Sequence, residues 1–180
     1  MTKSIVYSEV ATKVVARDGS VNKKIGREHV QIDTRAVTTV SIDETDDRIM
    51  FCAIPSNAII TDVLVLCDDL DSHSTPALAV DIGLYYSGIG GDQAANLKAA
   101  GDIIDVDAFA SAYAGLQAAI VSPTSVRFEA ANITTLGKEA WDLGGLSADC
   151  GGLFFIGTSV TTAAATAAAG DLSLIVKFIV

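Results

Sequence analysis

From Arg48 to Tyr86 the chain passes through three apolar runs of strand length, divided by Pro55-Ser56-Asn57 and by an acidic Asp/Ser cluster at 68–72. Pro, Asn, Asp and Ser at such breaks favour turns. In the third run Leu78, Val80, Ile82, Leu84 and Tyr86 alternate with Ala77, Ala79, Asp81, Gly83 and Tyr85. Side chains of a strand point to opposite faces in turn, so this alternation predicts one buried and one partly wetted face. The middle run, Ile59 to Cys67, is apolar on nearly both faces, as in a strand inside a sandwich.

The flanking stretches extend the pattern. Residues 1–35 mix short apolar pairs (Ile5-Val6, Val14-Val15) with polar clusters and read as an extended arm carrying one or two short strands. Ala36 to Ile42 is β-branched and predicts a strand. Gln93 to Ala100 has the composition of a short helix. Val106, Phe109, Ala110 and Tyr113 fall at i, i+3, i+4 and i+7, which predicts a second helix capped by Asp105 or Asp107. Thr124 to Ala130 alternates again, with Val126 and Phe128 on one side and Ser125, Arg127 and Glu129 on the other. A short helix around Leu136–Leu143 carries Trp141, the only tryptophan, and stops at Gly144-Gly145. Leu153 to Val160 and Leu172 to Val180 are strands, and the alanine-rich 161–170 reads as a hairpin loop between them. The expectation is a mainly β protein: one β-sandwich domain of jelly-roll type over 36–180, with short helical insertions and an extended N-terminal arm over 1–35.

Composition fits a globular domain large enough to bury a core without metal or disulfide staples, since half of the 180 residues are hydrophobic. Cys52, Cys67 and Cys150 form an odd set with no C-x-x-C spacing and read as small buried hydrophobes. No uncharged apolar run reaches the roughly 18–20 residues of a membrane-spanning helix. The opening residues lack the apolar core of a signal peptide, which points to synthesis in the cytoplasm. Charge is divided unevenly. Residues 1–35 hold seven basic and four acidic side chains, a balance of +3; residues 36–180 hold five basic and eighteen acidic, a balance of −13. An acidic body repels phosphate backbones, which argues against nucleic acid as a partner. The basic arm, with Lys3, Lys13, Arg17, Lys23, Lys24 and Arg27, is the candidate for engaging an acidic partner surface.

Signals for bond-making chemistry are weak. Gly88-Ile89-Gly90-Gly91 has Gln93 where a dinucleotide fingerprint needs glycine, and reads as a tight turn. Asp68, Asp69, Asp71 and Ser72, with Asp43, Glu44, Asp46 and Asp47, offer oxygens for a cation but lack the glycine and distal glutamate of an EF-hand loop. Gly145-Leu146-Ser147-Ala148-Asp149 ends in aspartate where a nucleophile elbow requires glycine. His29 and His73 sit in polar surroundings without a recognisable partner motif, and no Cys/His set has zinc spacing. No catalytic, cofactor-binding or metal-binding residue is expected.

Taken in order, several stretches carry a resemblance: Phe51-Cys-Ala-Ile-Pro-Ser-Asn-Ala-Ile-Ile-Thr-Asp-Val63, Asp68-Asp-Leu-Asp-Ser72, Asp81-Ile-Gly-Leu-Tyr85, Asp105-Val-Asp-Ala-Phe-Ala-Ser-Ala112, Lys138-Glu-Ala-Trp-Asp-Leu-Gly-Gly-Leu-Ser-Ala-Asp149, Ala163 to Gly170 and Leu172 to Phe178. The ordered set, over 40–180, resembles a family of small structural proteins of tailed bacteriophages, usually encoded beside the major capsid protein. The resemblance implies a non-enzymatic virion component of the capsid decoration (cement) type. Such a protein is made in the host bacterial cytoplasm and assembled on the head. It would contact the major capsid protein and copies of itself, as a trimer or other small homo-oligomer. The alternative is a tail or head-fibre sandwich that binds host-surface carbohydrate or receptor. A hydrolase is a third reading, and it needs His29 or His73 beside a nucleophile and a carboxylate.

Overall fold

The computed structural model describes residues 27–90 and 98–180. Among these residues, eight strands form two four-stranded antiparallel sheets. They are β1 (Glu28–Val37), β2 (Arg48–Pro55), β3 (Ile59–Cys67), β4 (Ala79–Gly90), β5 (Ile103–Tyr113), β6 (Ile120–Ser125), β7 (Gly152–Thr162) and β8 (Gly170–Ile179). One sheet has the order β1-β8-β3-β6 and the other β2-β7-β4-β5. Every connection between successive strands changes sheet except β4–β5. A single helical turn, α1 (Ala140–Leu143), lies between β6 and β7.

The core lies between the sheets and follows the sequence alternation. Ile60, Val63, Val65 and Cys67 point inward from β3, and Leu172, Leu174, Val176 and Phe178 do so from β8. Val80, Ile82 and Leu84 of β4 meet them from the other sheet, with Phe154 and Ile156 of β7. Each such side chain contributes roughly 1.5–3 kcal/mol by leaving water, so the four central strands β3, β8, β4 and β7 carry most of the stabilisation.

Several sequence expectations change. The sandwich starts at Glu28, inside the segment read as a free arm. There, Glu28–Val37 pairs residue for residue with β8 of the same chain. The strand expected over Ala36–Ile42 is the end of β1 followed by a 3-10 turn at Thr39–Ser41, closed by the Thr38–Ser41 side-chain hydrogen bond at 2.8 Å. Val37 and Ile42 both enter the core, and the turn lets them do so from either side of it. The helix expected over 105–113 is β5. Three register shifts against β4 and a left-handed backbone at Ala112 (φ 48°) break its period of two, so Ala108, Phe109 and Ala110 are buried in succession. Bulges re-aim side chains in this way, and the result mimics a helical face.

The strand expected over 124–130 ends at Ser125, and Arg127, placed on its polar side, is instead fully buried. Residues 163–169 are a loop, as expected, but not a hairpin, because β7 and β8 belong to different sheets. Of the helix expected around Leu136–Leu143 only the turn α1 forms, starting at Ala140; it carries Trp141 and stops at Gly144-Gly145, where Gly145 takes φ +70°, the left-handed region glycine enters without cost. The helix expected over Gln93–Ala100 falls mostly outside the described residues.

Candidate interaction surfaces

The acidic loop at 68–71 does not present a cation site. Asp71 is 1% exposed, and its carboxylate is filled by backbone donors. Oδ2 accepts from the N–H groups of Ala77 (2.7 Å), Leu78 (3.0 Å) and Ala165 (2.9 Å), and Oδ1 from Thr166 (2.9 Å) and His73 (3.4 Å). Burial would raise its pKa, but the bonds from Ala77, Thr166, Ala165 and Leu78 more than reverse this and hold it well below the usual carboxylate range. Asp71 thus ties the β3–β4 crossover to the β7–β8 crossover. Asp68 Oδ2 accepts from the Asp171 N–H at 2.8 Å, and Asp69 Oδ1 from the Asp71 N–H at 3.1 Å. In the loop at 43–47, Asp47 accepts from the Glu44 N–H at 3.2 Å. Among the described residues, no group of three or more His, Cys, Asp or Glu is arranged to hold a metal ion.

The remaining candidates separate in space. His29 stacks on Phe178, ring centroids 5.4 Å apart, while the Nδ1 of His73 accepts from the Thr75 N–H at 3.0 Å. Asp149, in the elbow-like stretch, accepts from the Ser56 hydroxyl and from the Gly151 N–H at 2.9 Å. Cys52 is buried, and burial, with Asp33 nearby, pushes its thiol up to about 11. Trp141 packs against the core and donates from Nε1 to Glu139 at 2.6 Å. Of the glycine loop, Gly88 has φ +73° at the end of β4, as a tight turn needs; Gly91 lies outside the described residues. Of the six basic arm residues, Lys3, Lys13, Arg17, Lys23 and Lys24 lie outside the described residues, and Arg27 is exposed just ahead of β1.

What remains is surface, and sequence reading missed its two main features. On one flank, residues 126–138 descend across the open side between β6 and β5. Arg127 anchors this segment from within: 1% exposed, it donates from Nε to the Ile60 carbonyl (3.2 Å) and from Nη2 to the Thr135 carbonyl (3.3 Å). Its guanidinium lies 5.4 Å from the Phe109 ring centroid and 4.7 Å from that of Phe128. Burial depresses its pKa, which Asp62 partly opposes. The outer side of this flank is apolar: Phe128, Ala131, Ile133 and Leu136 line a shallow cleft of about 300 Å³, with Ile133 80% and Leu136 61% exposed. Isolated apolar residues in a polar loop were the only sequence signal for it.

The second feature is β1. Its odd residues, His29, Gln31, Asp33 and Arg35, stand opposite the inward-pointing Phe178, Val176, Leu174 and Leu172 of β8. Its even residues Val30 and Ile32 lie on the outer face, 53% and 67% exposed. The alternation is therefore inverted relative to the core: polar within, apolar without. Ile32 continues into Ile175 and Leu64 across the sheet, one apolar row on its outer face.

The chain matches no family model and no characterised protein sequence. It is similar in fold to a chain in the capsid asymmetric unit of cyanophage Pam1, with a TM-score of 0.57 and 22% identity over 86% of both chains. It is likewise similar to a chain in the capsid of Ralstonia phage GP4, with a TM-score of 0.55 and 18% identity over 86% of this chain and 84% of that one.

Proposed function

We propose that this chain is a structural component of a phage virion, a capsid decoration (cement) protein that binds the outer surface of the assembled head and stabilises it. The observation that carries the reading is the fold likeness over most of the chain to two chains from phage capsids. The strand order 1-8-3-6 facing 2-7-4-5 supports a jelly roll, an architecture that builds viral capsid domains without any catalytic machinery.

Attachment is assigned to the basic segment that precedes β1. Residues 1–26 hold Lys3, Lys13, Arg17, Lys23 and Lys24 against Glu9 and Asp18, a balance of +3, whereas 27–180 carry −13. Together with Arg27, these residues would engage an acidic surface on the major capsid protein or a sister copy. Repeated weak contacts on a lattice sum to high avidity, so each copy needs little affinity. A tail or head-fibre role that binds carbohydrate has less support. Such sites expose stacked aromatics, and Phe128 is the only aromatic among the large hydrophobics exposed in the described residues.

The test is addition of purified protein to heads that lack it, followed by sedimentation and imaging of the particles. Regular, saturable occupancy of the outer shell by the full chain, lost when residues 1–26 are removed, is the expected result. Binding confined to tails, or none to heads, would overturn the decoration reading. Full occupancy without residues 1–26 would overturn the assignment of the arm.

A further inference from the structure

The four sheet edges are not alike. Edge strands expose unpaired N–H and C=O groups, and proteins blunt them with bulges, prolines, short length or a covering loop. Here β2 is bulged between Met50 and Ala53 and ends in Pro55. β6 has six residues, a register shift and Pro123. β5 shifts register three times and is covered by the 126–130 segment: the Ala130 N–H donates to the Phe109 carbonyl (2.9 Å) and the Ser111 N–H to Glu129 (2.9 Å). β1 lacks these four devices and carries charge instead, with Asp33 and Arg35 on its inner side held to each other at 3.0 Å. It runs ten residues in unbroken register with β8, contains no proline, and is unpaired on its other side among the described residues.

We infer that β1 is a self-recognition edge: two copies of this chain pair β1 to β1, antiparallel about a two-fold axis at Gln31, to make one eight-stranded sheet. The register follows from the side chains. A two-fold at Gln31 sets Val30 against Ile32 of the second copy twice on the outer face, so each apolar row Leu64–Ile175–Ile32 is extended by the other copy's Val30, beyond which lies Lys177. On the other face it sets His29 against Asp33 twice, a ring N–H facing a carboxylate, and its one like-charge match, Arg27 against Arg35, involves a residue that precedes the strand. Shifting the axis to Asp33 would oppose two aspartates, and shifting it to Ile32 would oppose His29 to Arg35 while pairing Val30 with Thr34. Cross-strand apolar and opposite-charge pairs stabilise a ladder and like charges weaken it, so Gln31 is the favoured centre. The exposure of Val30 and Ile32 then has a cause: in the pair these side chains cover one another across the new ladder.

The inference stands apart from attachment to a shell, and the experiment separates the two. Light scattering on the full chain should give a dimer. Ile32→Lys, which adds a charge at an exposed position, should give a monomer with an unchanged circular dichroism spectrum and melting temperature. Mixing Val30→Cys with Ile32→Cys chains should yield a disulfide between the two, while neither cross-links alone. A full chain that stays monomeric at its highest soluble concentration overturns the pairing, as does a dimer indifferent to Ile32→Lys. A dimer seen only after removal of residues 1–26 also overturns it, because those residues would then be the occupant of the edge. A monomeric chain that still decorates heads would sink this inference alone.

Discussion

Gly83 of β4 and Gly157 of β7 face each other across the ladder, and each is closed over by the backbone of the next strand out. A β-carbon on Gly83 would lie 2.1 Å from the Asp105 carbonyl oxygen and 2.3 Å from that of Val106, while one on Gly157 would lie 2.8 Å from the Ile49 carbonyl oxygen. The bare pair lets β5 and β2 fold inward over the sheet from both sides, which is how Tyr85, on the outer face of β4, comes to be fully buried.

Gly83→Ala is therefore expected to cost at least about 3 kcal/mol, the upper range for overpacking, since backbone and not a flexible side chain must yield. Gly157→Ala should cost less, because part of its contact is the mobile thioether of Met50. Urea denaturation of the two variants checks both the size and the order.

Asp71→Ala strips the partner from the N–H groups of Ala77, Leu78, Ala165 and Thr166 at once. With roughly 1–3 kcal/mol for each buried group left unpaired, and some rescue by water, a loss of about 4 kcal/mol is expected in urea denaturation. The pH dependence has a definite sign. The native carboxyl titrates below its unfolded value, so its contribution is complete above the ordinary carboxylate range near pH 4 and drains away as pH falls toward the native value. The wild-type chain should lose stability over that interval, and Asp71→Ala should lose much less.

Asp81 and Asp105 behave in the opposite sense. Burial raises both pKa values, with Asp107 adding to each and Glu129 adding to that of Asp81, and for Asp81 the 2.7 Å bond from the Ala112 N–H opposes the rise only in part. A carboxyl with a raised native pKa favours the folded state as it takes up its proton, so this group of acids weakens the fold at neutral pH and ceases to do so as pH falls through the native value. Asp105→Asn should stabilise the chain by up to about 1 kcal/mol at pH 7, by relieving the burial of a charge and its repulsion from Asp107 two residues along the same strand. The gain should vanish in mildly acidic buffer when melting temperatures are compared across pH.

Arg127→Ala removes the stem that fills the space under Phe109 and Phe128 and takes a donor from the Ile60 and Thr135 carbonyls, of which Thr135 keeps the Lys138 N–H. A loss of about 3–5 kcal/mol is expected, in the range of emptying a large buried site. Hydrogen exchange should rise first across 126–136, where the flank loses its anchor, before it rises in β3 or β8.

The central strands were legible because their residues are pinned on both sides. Val63–Cys67 and Leu172–Phe178 obey the period-two rule, which β3 breaks only at the register shift between Ile60 and Asp62. Legibility failed where the backbone leaves that rule. In β5 the bulges produce the spacing of a helix from a strand, and nothing in Val106, Phe109, Ala110 and Tyr113 announces them. Arg127 reads as a surface residue because its partners, two backbone carbonyls and two aromatic rings, have no sequence signature. The mixed polar and apolar pattern of β1 reads as an arm because the strand overhangs the core it is attached to.

β8 lies between β1 and β3, so the strand made after all the others is the one that joins them. A nascent chain on the ribosome can form the β4–β5 pair early, yet the opposite sheet has no centre until Gly170–Ile179 has emerged. Folding of such a topology is governed by contacts distant along the chain and is slow. Clipping the last ten residues would leave two separated strand groups with their inner edges bare, a substrate for aggregation and proteolysis rather than a shortened version of the same body.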